Sequence, residues 1–215
     1  MTTPARGRMV LLLIAGIPLT MILAATWLWF FVVRGDLDLV SALGTANRGS
    51  LVQPPRQIDA APLRDADGAP HPYASLEPRW TMLVPGRQDC AADCEHLLYL
   101  TRQIHVATGK YFNRLQRVYL GGAAPQVTAL AVSQLSDGHP APPNLAALVD
   151  GEHRGLVALH SDPQALAALF PEHDQDPSTW YLVDPRGWIM MSYNSEVGYK
   201  DVIADLKFLL KNSSG

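Results

Sequence analysis

Cysteine is nearly absent from this sequence: two residues in 215, Cys90 and Cys94. So few cannot staple a disulfide-dense scaffold, and the chain is long enough to bury a core without one. Basic residues are not in excess either. Lys and Arg number 17 against 20 Asp and Glu, for a net charge of -3, and no basic stripe concentrates them. Binding along a nucleic-acid backbone needs such a concentration, so nucleic acid is excluded as a partner. There is no glycine-rich phosphate loop, nucleophile elbow, zinc-type Cys/His spacing, calcium loop or internal repeat. "RDADG" and "HDQD" read as turns, and His139, His153 and His160 have no partner spacing.

Charge is missing altogether from Met9 to Val33, "MVLLLIAGIPLTMILAATWLWFFVV". At ~1.5 Å per residue this run reaches ~37 Å, against a hydrocarbon core of ~30 Å. It is too long for the apolar segment of a cleaved signal peptide and predicts a retained transmembrane helix, with Trp27 and Trp29 near one interface. Arg6 and Arg8 precede the span, whereas "RGDLD" follows it, so the positive-inside bias keeps the N-terminus cytoplasmic. The rest of the chain then lies outside, in a bacterium as a periplasmic domain tethered to the inner membrane.

Residues 34–78 are rich in Pro, Gly, Ala and Asp and read as a linker, with "GSLVQ" and "APLRDADG" as possible short strands. From Arg79 the pattern alternates. "WTMLV", "LQRVYLGG", "GLVAL", "STWYLV" and "WIMMSYN" predict strands, the last two joined by a "DPRG" turn. Helices are expected from about Ala91 to Thr108 with Gly109 as C-cap, over "DPQALAALF" with Asp162 as N-cap and Pro163 at its first position, and over "GYKDVIADLKFLLK". This order gives an α/β layer sandwich on a mixed sheet, and Cys90 and Cys94 fall just beyond the carboxyl end of its first core strand, where such sheets collect active groups.

Two cysteines four apart at a helix start share a face, so their sulfurs converge on one point. That arrangement suits a soft ion such as Cu(I), a redox couple, or a disulfide whose tiny loop stabilises little. Helix-end amides and Arg87 favour a thiolate at Cys90, while Asp89, Asp93 and Glu95 oppose it. The bland alternative is two small apolar core residues. His96 points away from Cys94, and Met190 and Met191 read as strand packing.

Together the apolar N-terminal run, "PLRDADGAP" before the first core strand, the C-x-x-x-C after it and "YLVDPRGWIMMSY" before a final helix resemble the Sco/SenC family. That family consists of membrane-anchored, thioredoxin-like copper chaperones associated with cytochrome c oxidase assembly. The resemblance covers about Gly44 to Lys211. It implies a thioredoxin-like three-layer sandwich at 79–215, behind a cytoplasmic stretch (1–8), the span (9–33) and the linker (34–78). It also implies that Cys90 and Cys94 bind Cu(I), or keep the thiols of the oxidase copper site reduced, with an oxidase subunit or its assembly factors as partner. Where the family supplies a third ligand, a histidine, this sequence has Asp176, and His173 lies three residues earlier; His173 is the candidate third metal ligand. A Tyr before the first Cys and a Pro after it, usual in the family, are absent. Pro177 resembles the cis-proline that faces the cysteines in dithiol proteins. A general thiol-disulfide oxidoreductase and a non-catalytic assembly module that keeps the fold are the alternative functions.

Overall fold

The computed structural model describes residues 4–33 and 47–213, with side chains in the first stretch described at 9–10, 12–27 and 29–30. These stretches fall in two compact units, divided after Ala46.

The first unit contains α1 (Pro4–Val33). Its described apolar side chains are exposed on every side, among them Leu12, Ile14, Leu19, Ile22 and Trp29. The hydroxyls of Thr20 and Thr26 donate back to the carbonyls of Gly16 and Ile22, at 3.0 and 2.8 Å, so neither needs an outside partner. Among the described residues, no helix is long and apolar enough to cross a membrane, the longest uninterrupted described run of α1 side chains being 12–27.

In the second unit a six-stranded mixed sheet has the order β1-β6-β5-β2-β3-β4. Its strands are β1 (Ser50–Gln57), β2 (Trp80–Pro85), β3 (Leu115–Gly121), β4 (Leu156–His160), β5 (Trp180–Val183) and β6 (Trp188–Tyr193). β2, β3 and β4 run parallel, while β5, β6 and β1 are antiparallel to their neighbours. Both sheet faces are covered, which is why β2 reads as an unbroken apolar run.

Period-two alternation divides the core. Met82, Val84, Tyr119, Trp180 and Leu182 point to one face, against α2 (Ala92–Ala107), α3 (Leu145–Glu152) and α6 (Tyr199–Asn212). Leu83, Val118, Leu120, Tyr181 and Val183 point to the other, against Ile58, Leu63, Tyr73 and the short helices α4 (Pro163–Leu169) and α5 (Pro171–Gln175). Leu97, Leu98 and Ile104 of α2 are almost fully buried, each contributing about 1.5–3 kcal/mol of apolar burial. The mixed-sheet sandwich expected from the sequence is therefore present.

Local signals act as read at several ends. Asp162 accepts hydrogen bonds from the Gln164 and Ala165 amides with Pro163 following it; Thr108 rather than Gly109 is the C-cap of α2, and Gly109 adopts φ +61° one residue beyond it. In the β5–β6 turn Asp184 accepts from the Arg186 and Trp188 amides, and Gly187 takes φ +85°.

The linker expected at 34–78 differs from the structure over its described part. The folded unit begins at Asn47, β1 is an edge strand on β6, and Ile58, Ala61, Leu63 and Tyr73 are buried under the sheet. Pro54 and Pro55 fall within the register break between Leu51 and Arg56, where a strand tolerates missing amide donors. "APLRDADG" contributes two bridges from Arg64, to His160 at the end of β4 and to Pro70 across a turn in which Asp65 accepts from the Asp67 and Ala69 amides.

Candidate functional site at the carboxyl end of the first core strand

β2 ends at Pro85, and the chain turns through Gly86 into the cysteine loop. A side chain at Gly86 would overlap the Tyr119 ring and hydroxyl, so the turn seats directly on Tyr119. Cys90 precedes α2 rather than lying on it. Ala91 is the N-cap and Cys94 sits in the first helical turn. The expected shared helical face is thus corrected: Cys90 is held by a bridge to Leu130, its amide donating to Ala129 O and its carbonyl accepting from the Ala131 amide, both at 2.9 Å. Those bonds involve backbone alone and do not depend on the oxidation state of sulfur.

The two cysteines form a disulfide, with Cα atoms 5.1 Å apart. Cys90 is fully buried, whereas Cys94 is 7% exposed and lines a pocket, so Cys94 is the cysteine of the pair that solvent reaches. Glu95, read as opposing a thiolate, turns away: its carboxylate accepts from the Ser136 amide and hydroxyl at 3.0 and 2.6 Å. That clamp ties α2 to the loop that bridges Cys90.

His173 lies on α5 and is buried. Its Nδ1 is 2.9 Å from Thr179 O, and a carbonyl can only accept, so Nδ1 carries the proton and Nε2 keeps its lone pair. Burial, with a smaller contribution from the Arg87 guanidinium, pushes the imidazole pKa below its ordinary value, although the Thr179 bond opposes that shift. The ring is therefore neutral near pH 7. An imidazole fixed through Nδ1 with Nε2 free is the form in which histidines bind metals.

A pocket of about 100 Å³ brings several of these residues together, lined by Cys94, Asp89, Asp93, Arg87, His173 and Pro177. Gly86, Arg87 and His173 also border an adjoining groove of about 280 Å³ with the apolar side chains of Pro163, Leu166 and Phe170. Asp176 lies elsewhere. Its Oδ1 accepts from the Ser178 amide and hydroxyl, which hold its carboxyl below the usual range, and it lines a different pocket with Ser50 and Tyr193. Pro177 follows a trans peptide bond, the described cis bond being Gln53–Pro54. His96 is exposed and Met191 is packed in the core, as read from the sequence.

With the disulfide closed, neither sulfur is available as a thiolate ligand. Among the described residues, the set of three His, Cys, Asp or Glu ligand atoms within 4.8 Å of one another is Asp137, His139 and Glu152. Arg102 already spans that set, at 3.5 Å from Asp137 and 3.2 Å from Glu152. Two cysteine sulfurs and one neutral imidazole nitrogen are a donor set suited to Cu(I) once the disulfide is reduced. Arg87, read from the sequence as the one nearby side-chain cation favouring a thiolate, borders both cavities.

A strand-loop-helix carrying a cysteine pair, on a mixed sheet closed by a hairpin and a final helix, defines a thioredoxin-like protein. Residues 80–213 match the family described as "Transmembrane-like, thioredoxin-like, C-terminal domain", and the chain belongs to that family. Among solved structures, yeast Sco1 is similar, at 16% identity over 79% of this chain and 99% of that one, with a TM-score of 0.53. Yeast Sco1 with copper bound is similar at 15% identity over 80% of this chain and 97% of that one, with a TM-score of 0.52. At that identity the likeness is one of fold. No curated protein matches the chain.

Proposed function

We propose that this chain is a membrane-tethered, extracytoplasmic thioredoxin-like factor that assists assembly of the cytochrome c oxidase copper centre, by delivering Cu(I) or by keeping the copper-site thiols reduced. The observation that carries this reading is that Cys94 and the neutral imidazole of His173 line one pocket at the carboxyl end of β2. The resemblance to the Sco/SenC family, and a copper-bound neighbour of the same fold, support copper as the cargo.

Residues 9–33 would be the membrane span, with 1–8 cytoplasmic, the stretch after 33 a tether, and the folded domain in the periplasm at the inner membrane. A dithiol donor supplies the two electrons and two protons that break the Cys90–Cys94 bond and leave two thiols. Cu(I) then replaces the thiol protons and is held by Cys90 and Cys94, with His173 Nε2 as third ligand. Without copper, the same dithiol reduces a partner disulfide and returns to the closed bond, so cargo binding and redox exchange compete for one pair of sulfurs. The backbone bridge at Cys90 keeps one sulfur in place through either cycle, while Cys94 is the one a partner reaches.

The test is a Cu(I) titration of the reduced full chain against a competing chelator. One equivalent is expected to bind, Cys90→Ser abolishes binding, and His173→Ala weakens it at least ~10-fold, the lower end of what losing a group that supports a metal site costs. Undiminished copper retention by the Cys90→Ser, Cys94→Ser double variant would remove the copper reading.

A further inference from the structure

At the other end of the same sheet, where β2, β3 and β4 begin, lies a cavity of about 430 Å³. Four arginines line it: Arg79, Arg102, Arg117 and Arg154. Two have carboxylate partners, Arg79 with Glu77 and Arg102 with both Asp137 and Glu152. Arg117 and Arg154 have none among the described residues.

Arg117 is the unusual one. It belongs to β3, on the same face as Leu115 and Tyr119, and is 4% exposed. Among the described residues its guanidinium makes one hydrogen bond, from Nη1 to Nδ1 of His153 at 3.2 Å. Because guanidinium only donates, His153 Nδ1 accepts and that ring is neutral. A buried cation without a counter-ion costs several kcal/mol, and among the described residues the remaining donors of the guanidinium fork have no protein acceptor. Burial, with repulsion from Arg102, lowers the Arg117 pKa to about 10, and burial with the Arg117 and Arg102 charges lowers that of His153 to about 4. Burial is the larger cause of both shifts, and the neighbouring arginine charges push both the same way.

We infer that this cavity is a binding site for a phosphate group, with the buried fork of Arg117 as its anchor and Arg154 at its exposed rim. A planar fork with several free donors matches phosphate oxygens, and the cavity falls in the size range of small-molecule sites. Val106 and Phe112, exposed beside it, offer an apolar surface for whatever bears the phosphate, a small organic phosphate or a lipid headgroup. The site is separate from the cysteine pair and does not rest on the copper reading.

The experiment titrates the full chain, in neutral phosphatidylcholine nanodiscs, with inorganic phosphate at constant ionic strength, chloride being the control. Calorimetry gives affinity and the Arg117 Nε resonance gives location. Saturable one-to-one binding is expected, weakened at least ~30-fold in Arg117→Met and ~3-fold in Arg154→Gln. Arg154 is exposed, so its variant keeps the test open should Arg117→Met misfold. Nanodiscs containing phosphatidylglycerol separate the two sources: competition with added phosphate assigns the site to a lipid headgroup, and its absence assigns it to a soluble phosphate. No phosphate-specific binding by the unmodified chain, or equal binding by both variants, overturns the inference.

Discussion

The two ends of the central sheet meet the cost of polar chemistry in opposite ways. At the carboxyl end of β2 the groups that carry the chemistry have partners, although the buried Tyr119 hydroxyl beside them has none: Cys90 is bonded to Cys94 and bridged through its backbone, His173 Nδ1 is bound to Thr179, and Glu95 is bound to Ser136. At the amino end Arg117 is buried with a neutral histidine as its one partner. The first end is pre-organised, so its chemistry is set by the oxidation state of two sulfurs. The second carries uncompensated charge, so its chemistry is set by what binds. A site that completes itself can be perturbed by crowding it, whereas one that waits for a counter-ion responds to charge.

The largest effect should come from crowding the cysteine end. Gly86→Ala places a methyl group against the Tyr119 ring, which is fully buried between the sheet and the cysteine loop. Loss of about 3 kcal/mol is expected in denaturant unfolding, from overpacking that neither the strand nor the ring can relieve. Tyr119→Phe on the same background should restore little, because the overlap includes ring carbons as well as the hydroxyl. An unchanged midpoint for Gly86→Ala would mean that this end is looser than its contacts imply, and the contrast between the ends would fail.

Opening the disulfide should matter less. The bond closes a very short loop, for which chain-entropy reasoning gives about 2 kcal/mol or less. The amide and carbonyl of Cys90 keep their bonds to Ala129 and Ala131 after reduction. Reduced protein should therefore unfold cooperatively at a slightly lower midpoint, and hydrogen exchange at the Cys90 amide should stay slow. Fast exchange there on reduction would show that the sulfur bond, not the backbone bridge, orders the loop.

How much of this was legible in the sequence depends on the range of the interaction. β2 to β6, α2, α4 and α6 follow from apolar periodicity, Asp162-Pro163 and the "DPRG" turn, all local signals. The first half of β1 was read as the short strand "GSLVQ", while its continuation was obscured by Pro54 and Pro55, which suggest a linker until an edge position makes them harmless. α3 went unread because "PAPPN" dominates its approach, although Asn144 is its N-cap and accepts from the Ala147 amide. The placing of Cys90 before the helix depends on Leu130, forty residues downstream, and the pairing of His173 with the Cys94 pocket depends on α5 folding back across the sheet. Neither leaves a local trace. Arg117 did leave one: in "LQRVYL" it occupies an inward position of a strand otherwise buried on that face, and a charge there marks a site to examine.

The smallest expected effect belongs to acid at the arginine end. His153 has a folded pKa of about 4, lowered first by burial and then by Arg117 and Arg102, with Asp137 opposing, against 6.5 as the ordinary value. Since the unfolded chain takes up the proton first, stability is fully present above pH ~6.5 and declines as pH falls toward ~4, by about 1 kcal/mol over the first pH unit. Burial lowers His105 and His173 as well, so they add to the same slope. His153→Gln should flatten it measurably between pH 6.5 and 5.5. Saturating phosphate should flatten it in part, because an anion on Arg117 offsets the repulsion that adds to burial in keeping the His153 proton off, and this second result separates the two ends: it changes the acid slope from the arginine cavity and leaves the reduction of Cys90–Cys94 untouched.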